Sequence, residues 1–285
     1  MVDIAGIKMR NPVMVASGTF GFGEEYSKLI DLNKLGAVIT KSVTLNPRDG
    51  NPPPRLCETP AGMLNSIGLQ NDGLKVFLEK QLPFLSQFDV PIIVNVAGET
   101  IEEYVEVSRA LSNQPKIKGL ELNISCPNVK KGGMAFGIDP KATKELVESV
   151  RLATKLPLIA KLSPNVTDIT EIAKAAVSAG ADALSLINTV MGMAIDIKTK
   201  KPKLATITGG LSGPAIKPIA IRMVWQVAQV VDVPIIGIGG IMTAEDAYEF
   251  ILAGAKAVQI GTANFVDVEA SLKIIEGLKT LTAGK

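Results

Sequence analysis

The chain of 285 residues contains no histidine, only two cysteines and few aromatic residues, which make up 4% of it. With no histidine and only Cys57 and Cys126 as thiols, the sequence argues against a zinc site or an iron–sulfur cluster held by this chain. Two cysteines also cannot build a disulfide framework. General acid–base chemistry near neutral pH must therefore fall to cysteine, lysine or the carboxylates.

Charge and hydropathy narrow the class of protein further. The net charge is only +2, so no strong field attracts nucleic acid or an anionic membrane. Apolar runs such as residues 90–97 are too short to span a bilayer, and the first residues lack the features of a signal peptide. Because 47% of the residues are hydrophobic and 20% are charged, a sizeable core is expected. We therefore expect a cytoplasmic globular protein that binds neither nucleic acid nor membrane.

Short runs rich in Val, Ile and Leu alternate with amphipathic segments along the whole chain. The runs predict strands at residues 12–16, 37–44, 91–97, 119–125, 156–162, 183–188, 234–239 and 257–261. They are apolar on both faces, as parallel strands covered by helices are. Helical patterns between them include residues 102–111, 140–154, 167–179, 244–253 and 268–278. This order predicts an α/β fold, a (β/α)8 TIM barrel, as a single domain over residues 1–285.

Other features of the sequence concern an alternative fold, the amino-terminal residues and two long connections. An open doubly wound sheet is the alternative, but no Gly-x-Gly-x-x-Gly follows the first strand. Residues 3–11 predict a short N-terminal hairpin, which we expect to plug the barrel floor. The connections at residues 45–72 and 188–212 are longer than ordinary βα loops. Loops of that length are usually functional or disordered.

Polar residues stand at the carboxyl ends of the predicted strands, where barrels carry their sites. They are Ser17, Lys41, Ser42, Asn95, Asn123, Lys161, Asn188 and Thr189. Burying such groups in an apolar barrel is unfavourable unless they meet polar partners. The set therefore indicates a polar, partly anionic ligand.

Glycines at the ends of the last two strands indicate a phosphate site. Gly239 and Gly240 follow one strand, Gly261 and Thr262 follow the next, and Gly213 lies in the preceding loop. Glycine lets backbone N–H groups approach a phosphate closely, and barrels often build such a site at strands seven and eight. The alternative is a set of tight turns that need positive φ.

The segment Asn-Ile-Ser-Cys-Pro-Asn at residues 123–128 places Cys126 where a buried strand is expected to emerge. A thiol with an ordinary pKa of about 8.5 is a usable base. The alternative is a small buried hydrophobic residue, the commoner role of a free cysteine.

Taken together, these motifs resemble dihydroorotate dehydrogenase over essentially the whole chain. The residues that carry the resemblance are Lys41-Ser42, the segments 65–71 and 123–128, Lys161 and the Gly-Ile-Gly-Gly of 237–240. Segments 18–23, 63–68 and 188–196 resemble the class 1B catalytic subunit in particular. The resemblance implies an FMN-binding barrel that oxidises dihydroorotate to orotate in de novo pyrimidine (UMP) biosynthesis.

The resemblance also implies residue roles. Cys126 would remove the C5 proton while a hydride passes from C6 to flavin N5, with Lys41 and Lys161 as further catalytic groups. FMN would contact Ser17, Lys41, Ser42, Asn95, Asn123, Lys161, Ile187, Gly213, Gly239, Gly240, Gly261 and Thr262. The substrate would contact Lys41, Asn65, Ser66, Ile67, Gly68, Leu69, Asn123, Asn188 and Thr189. Residues 130–137 would be either a lid or only a loop end.

The class implied by the resemblance needs a partner. Electrons would reach NAD⁺ through a second subunit that carries FAD and a 2Fe–2S cluster, in a heterotetramer built on a homodimer of this chain. A class 1A homodimer that uses fumarate is the nearest alternative. A lysine-dependent aldolase with a Schiff base at Lys161, or a phosphate-binding barrel without catalysis, are alternatives from other classes.

Overall fold

The structure is a computed structural model that describes residues 1–124 and 136–283. Eight parallel strands close into a barrel in which consecutive barrel strands pair and the last pairs with the first. The barrel strands are Val13–Val15, Ala37–Ile39, Ile92–Val96, Ile117–Asn123, Leu158–Lys161, Ala183–Leu186, Ile235–Ile238 and Ala257–Ile260. The predicted (β/α)8 barrel is confirmed. The second strand is shorter than predicted, because beyond Ile39 only a single bridge, Val43 to Val96, continues the pairing.

Helices cover the outside of the barrel. The α-helices are Glu24–Ser27, Gly73–Val76, Leu82–Leu85, Ile101–Ser112, Pro140–Ala153, Ile169–Ser178, Lys217–Ala228, Ala244–Leu252, Ala263–Val266 and Ala270–Thr282. Shorter 3-10 turns are Leu32–Lys34 and Pro214–Ile216, and Phe77–Gln81 is a π-helical turn. Asp139 caps one helix by accepting from the backbone N–H groups of Lys141 and Ala142, as its position before a proline predicts. No helix in residues 1–124 or 136–283 is long and apolar enough to cross a membrane.

The amino-terminal residues close the floor of the barrel. Val2–Ile4 and Ile7–Met9 pair antiparallel, and Ile4, Ile7 and Met9 are almost completely buried. They pack against inward-facing side chains of the barrel strands, which include Met14, Ile39, Ile93, Ile159 and Ile236. The predicted hairpin and its position as a floor plug are therefore confirmed.

The two long connections pair with each other. Leu56–Thr59, Gly62–Asn65, Val190–Met193 and Thr208–Ser212 form one four-stranded antiparallel sheet, which we call the roof sheet. A second small hairpin joins Ile195–Asp196 to Lys201–Pro202. Asn65 lies opposite Gly210 in the roof sheet, so the two insertions hold each other in place.

Candidate functional site

A cleft lies at the carboxyl ends of the barrel strands. Its glycine end is lined by the last two barrel strands, and its outer end by the roof sheet. Both ends share Ser17, Lys161, Asn188, Thr189 and Thr262. The predicted site residues that line the cleft are Ser17, Lys41, Ser42, Asn65, Ile67, Gly68, Leu69, Asn123, Lys161, Ile187, Asn188, Thr189, Gly213, Gly239, Gly240, Gly261 and Thr262.

Two predicted site residues within the described part of the chain do not line the cleft. Asn95 is fully buried beneath it and is joined to it by Ser42, whose Oγ donates to Asn95 Oδ1. Ser66 is also fully buried, and its backbone N–H donates to the Arg55 carbonyl. Cys126, together with residues 130–135 of the predicted lid, lies outside the described residues.

Lys161 ends the strand Leu158–Lys161 and points into the centre of the cleft. Only 5% of the residue is exposed, and its Nζ donates to Ser17 Oγ over 3.2 Å. Within residues 1–124 and 136–283, Lys161 forms no ion pair with a carboxylate. A buried ammonium with a hydroxyl as its partner is poorly compensated. The cleft is therefore suited to a ligand that brings negative charge beside Lys161.

Lys41 is a second cation at the outer end of the cleft. Its backbone N–H donates to the Gly21 carbonyl, which fixes the chain where it leaves the strand Ala37–Ile39. Burial lowers the pKa of Lys41 below its ordinary value; Asp72 opposes this shift and Arg55 adds to it. An incompletely hydrated ammonium at this position can bind a carboxylate from a ligand.

Backbone angles and local space at the glycine end distinguish its two explanations, a phosphate site and a set of tight turns. Gly213, Gly239 and Gly240 have φ values of 93°, 123° and 74°, so the turns alone require glycine there. Gly261 has no such φ, and the atom nearest to an added Cβ would be Ala16 Cβ at 3.6 Å. The fold therefore does not require glycine at 261. Its missing side chain leaves open space in the cleft, as a phosphate held by backbone N–H groups needs.

An ion-paired group stands behind this glycine end. Lys217 Nζ lies 2.6 Å from Asp246 Oδ1 and 2.9 Å from Glu249 Oε1, and these hydrogen bonds raise the pKa of Lys217. Burial alone would raise the pKa of Asp246, but Lys217 and the N–H groups of Met242 and Thr243 lower it overall. The group fixes the start of the helix Ala244–Leu252 next to Gly240.

One buried carboxylate below the cleft was missed by the sequence analysis. Glu121 is fully buried inside the barrel and accepts hydrogen bonds from Asn95 Nδ2 at 2.7 Å, Ser185 Oγ at 2.8 Å and Gln259 Nε2 at 2.6 Å. The available signal was a charged residue within an apolar strand. Glu121 lies inside the strand Ile117–Asn123 and not at its carboxyl end, so the rule that barrel sites lie at strand ends does not predict it.

The fold and the cleft define a (β/α)8-barrel protein whose site is built at the carboxyl ends of its strands. A family model described as dihydroorotate dehydrogenase matches residues 1–282. The chain belongs to the dihydroorotate dehydrogenase family, whose members are oxidoreductases, and this membership implies a bound flavin. It leaves the aldolase and binding-barrel alternatives without support.

Individual relatives agree with the family. The chain is 62% identical over 279 residues to a dihydroorotate dehydrogenase B (NAD(+)) catalytic subunit of Geotalea uraniireducens (strain Rf4), covering 98% of this chain and 92% of the relative. A protein of the same name from Geobacillus sp. (strain WCH70) is 60% identical over 280 residues, covering 98% and 90% of the two chains. The solved structure of DHODH in complex with ferulenol from Eimeria tenella superposes with a TM-score of 0.83 at 24% identity. It covers 99% of this chain and 85% of that one, and shows the same fold.

Proposed function

We propose that this chain is the catalytic subunit of an NAD⁺-linked dihydroorotate dehydrogenase, which oxidises dihydroorotate to orotate in pyrimidine biosynthesis. The observation that carries the proposal is the buried Lys161, without an ion-pair partner in the described part of the chain, where the glycine end meets the amide-lined end of the cleft. The relatives that share about three-fifths of their residues with this chain are named as NAD⁺-linked catalytic subunits, which supports the choice of class.

The cleft fits FMN as the flavin. Gly213, Gly239, Gly240, Gly261 and Thr262 would hold the phosphate, and the open space at Gly261 supports this placement. Ser17, Ser42 and Ile187 would contact the ring system, with Asn95 acting on it through Ser42. When bound, FMN supplies the acceptor for the hydride that leaves C6 of dihydroorotate. Lys161 would stabilise the negative charge that develops on the ligand side of the cleft.

The outer end of the cleft would orient the substrate. Asn65, Asn123, Asn188 and Thr189 provide both donors and acceptors, as a ring with amide and carbonyl groups requires. Two contacts support fixed orientations: Asn65 Nδ2 donates to the Gly210 carbonyl over 3.3 Å, and Thr189 N–H donates to Asn188 Oδ1 over 2.8 Å. Lys41 would bind the carboxylate, and the backbone of residues 67–69 would complete the pocket.

Cys126 is proposed as the base. The C5 proton would pass to its Sγ, while the C6–H bond breaks and its electron pair leaves with the hydride, which leaves a C5=C6 double bond in orotate. The strand Ile117–Asn123 directs the chain into the cleft at Asn123, three residues before Cys126. A base fixed against a held substrate contributes through geometry more than through acidity.

The electron acceptor would be reached through a partner. We infer a second subunit that carries FAD and a 2Fe–2S cluster, and a heterotetramer built on a homodimer of this chain. The description of the relatives as catalytic subunits, and the two cysteines of this chain, support a cluster held elsewhere. The cytoplasmic location and the single-domain organisation stay predictions of the sequence.

The first test is the absorbance spectrum of the purified chain before and after anaerobic dihydroorotate. We expect flavin bands that bleach. Cys126→Ala should keep the flavin bands but slow bleaching by a factor of about 10²–10⁴, the usual contribution of a general base. Cys57→Ala is the matched control, because Cys57 lies half-buried in the strand Leu56–Thr59 and should bleach as the unchanged chain does. Equal bleaching rates in the two variants would remove Cys126 from the mechanism.

A second measurement decides the acceptor. The reduced chain is mixed with fumarate, and separately with NAD⁺ after co-purification with any bound subunit. Oxidation by fumarate without a partner would favour the class 1A alternative. Oxidation by NAD⁺ only in the presence of a flavin and iron–sulfur subunit would support the proposal.

A further inference from the structure

A polar layer crosses the barrel directly beneath the cleft, and Glu121 is its centre. The carboxylate lies on the strand Ile117–Asn123 and binds Asn95 on the neighbouring strand, Ser185 two strands away and Gln259 on the opposite side of the barrel. All four side chains are at most 1% exposed. A buried carboxylate is tolerated where hydrogen-bond donors surround it, and three donors surround this one.

The layer is joined to the cleft by a chain of hydrogen bonds. Asn95 Nδ2 donates to Glu121 Oε1, and Asn95 Oδ1 accepts from Ser42 Oγ. Ser42 Oγ in turn accepts from Asn123 Nδ2 over 3.2 Å, and both Ser42 and Asn123 line the cleft. The backbone carbonyl of Asn123 accepts from the buried Tyr104 hydroxyl over 2.8 Å.

The Glu121 carboxylate sets the donor-to-acceptor direction along this series of hydrogen bonds. A carboxylate only accepts, so it fixes the Asn95 amide with its nitrogen downwards and its oxygen towards Ser42. The hydroxyl proton of Ser42 is then committed to Asn95, and its oxygen lone pair faces Asn123. Turning over the Asn95 amide would reverse each of these contacts. One buried group thus decides which atoms Ser42 and Asn123 present to a ligand.

We propose that Glu121 is a positioning residue for the flavin in this cleft, acting through Asn95 and Ser42. The inference rests on the proposed function, because it takes FMN as the ligand that Ser42 contacts. Glu121 acts by placing an acceptor oxygen within hydrogen-bond distance of Asn95. This role does not require its negative charge.

Two substitutions distinguish the position of the acceptor oxygen from the negative charge of the side chain. Glu121→Gln keeps an oxygen at the same distance for Asn95, and its new amide N–H groups can donate to Ser185 Oγ and, once the Gln259 amide turns over, to Gln259 Oε1. That oxygen is buried and has no hydrogen-bond partner among residues 1–124 and 136–283. Glu121→Asp keeps the charge but withdraws the carboxylate by one methylene from Asn95. Ser185→Ala is the control, since it removes a hydrogen bond from the same carboxylate without touching Asn95.

The measurement is the rate of flavin release from the purified holoprotein, followed by FMN fluorescence, with thermal unfolding recorded in parallel. We expect Glu121→Asp to release FMN about tenfold faster, which corresponds to about 1.4 kcal/mol, a lost hydrogen bond. Glu121→Gln and Ser185→Ala should both release it within about twofold of the unchanged chain, even where their unfolding temperatures fall.

Other results would overturn the inference. If Glu121→Gln releases flavin as fast as Glu121→Asp or faster, the charge matters and positioning does not. If all three variants lose thermal stability and none changes flavin release, Glu121 supports only the fold. A chain that binds FMN normally but is not bleached by dihydroorotate contradicts the proposed function, while the flavin-release comparison still stands. A chain that cannot be loaded with FMN overturns both.

Discussion

The lower and upper halves of the barrel interior are built from the same strands but have opposite chemistry. Ile93 and Ile159 face the floor cluster, and two residues further along the same strands stand Asn95 and Lys161. Residues two apart in a strand share a face and are only about 6.6 Å apart. The change from an apolar core to a polar site therefore takes a single step along each of these two strands. Each of the two carries a stabilising end and a functional end.

The two halves should respond differently to substitution. The floor buries aliphatic side chains that need no polar partner, so a change there should alter the free energy of unfolding alone. The cleft buries a charge that is unfavourable in an apolar interior without an ion-pair partner, so removing that charge should alter function and leave stability equal or higher. Substitutions at the two ends test this division directly.

The largest expected effect is at the floor. Ile4→Ala removes a completely buried side chain between the hairpin and the lower barrel, and should lower the free energy of unfolding by about 3 kcal/mol. Denaturant unfolding measures this loss. The folded variant should still be bleached by dihydroorotate at the unchanged rate. Leu152→Ala is the control, since that side chain is 92% exposed and its loss should change stability little. A floor variant with normal stability but slow bleaching would contradict the division between a stabilising floor and a functional cleft.

A change in the opposite sense is expected at the cleft. Lys161→Met keeps the length of the side chain and removes its buried charge, so flavin reduction should slow about 100-fold, as when one stabilising group for developing charge is lost. That factor corresponds to about 2.7 kcal/mol. Stopped-flow absorbance measures it. The free energy of unfolding of the flavin-free variant should be equal or higher, because a poorly compensated ammonium is gone. Lower stability with unchanged reduction would assign Lys161 to the fold.

The sequence predicts the division only in part. The barrel strands and the floor hairpin follow from local apolar patterns, which need no knowledge of distant residues. The roof sheet does not, because it pairs Asn65 with Gly210, which are 145 residues apart in the chain. Glu121 was also missed: its three partners come from three different strands, and their common depth in the barrel depends on the register between strands. Polar strand ends predict that a site exists, but not the layer that supports it.

The smallest effect tests whether charge at the functional end can also stabilise the fold. Asp246 and Asp267 each lie 2.6 Å from a lysine Nζ, but the Asp246 side chain is 16% exposed and that of Asp267 is 39% exposed. Asp246→Asn should lower the free energy of unfolding by about 1 kcal/mol near neutral pH, because Asp246 also accepts from two backbone N–H groups of the helix start. Asp267→Asn should cause no measurable change, since water screens an exposed pair.

The pH dependence gives this last prediction its sign. The folded chain lowers the pKa of Asp246, so its contribution is present above the ordinary value of 3.8 and is lost as the pH falls through the lower folded value. The difference in free energy of unfolding between Asp246→Asn and the unchanged chain should therefore be largest near neutral pH and should disappear in stronger acid. Thermal unfolding across that range measures it. A difference that persists in strong acid would mean that the substitution acts through packing behind Gly240, and that charge at the functional end does not stabilise the fold.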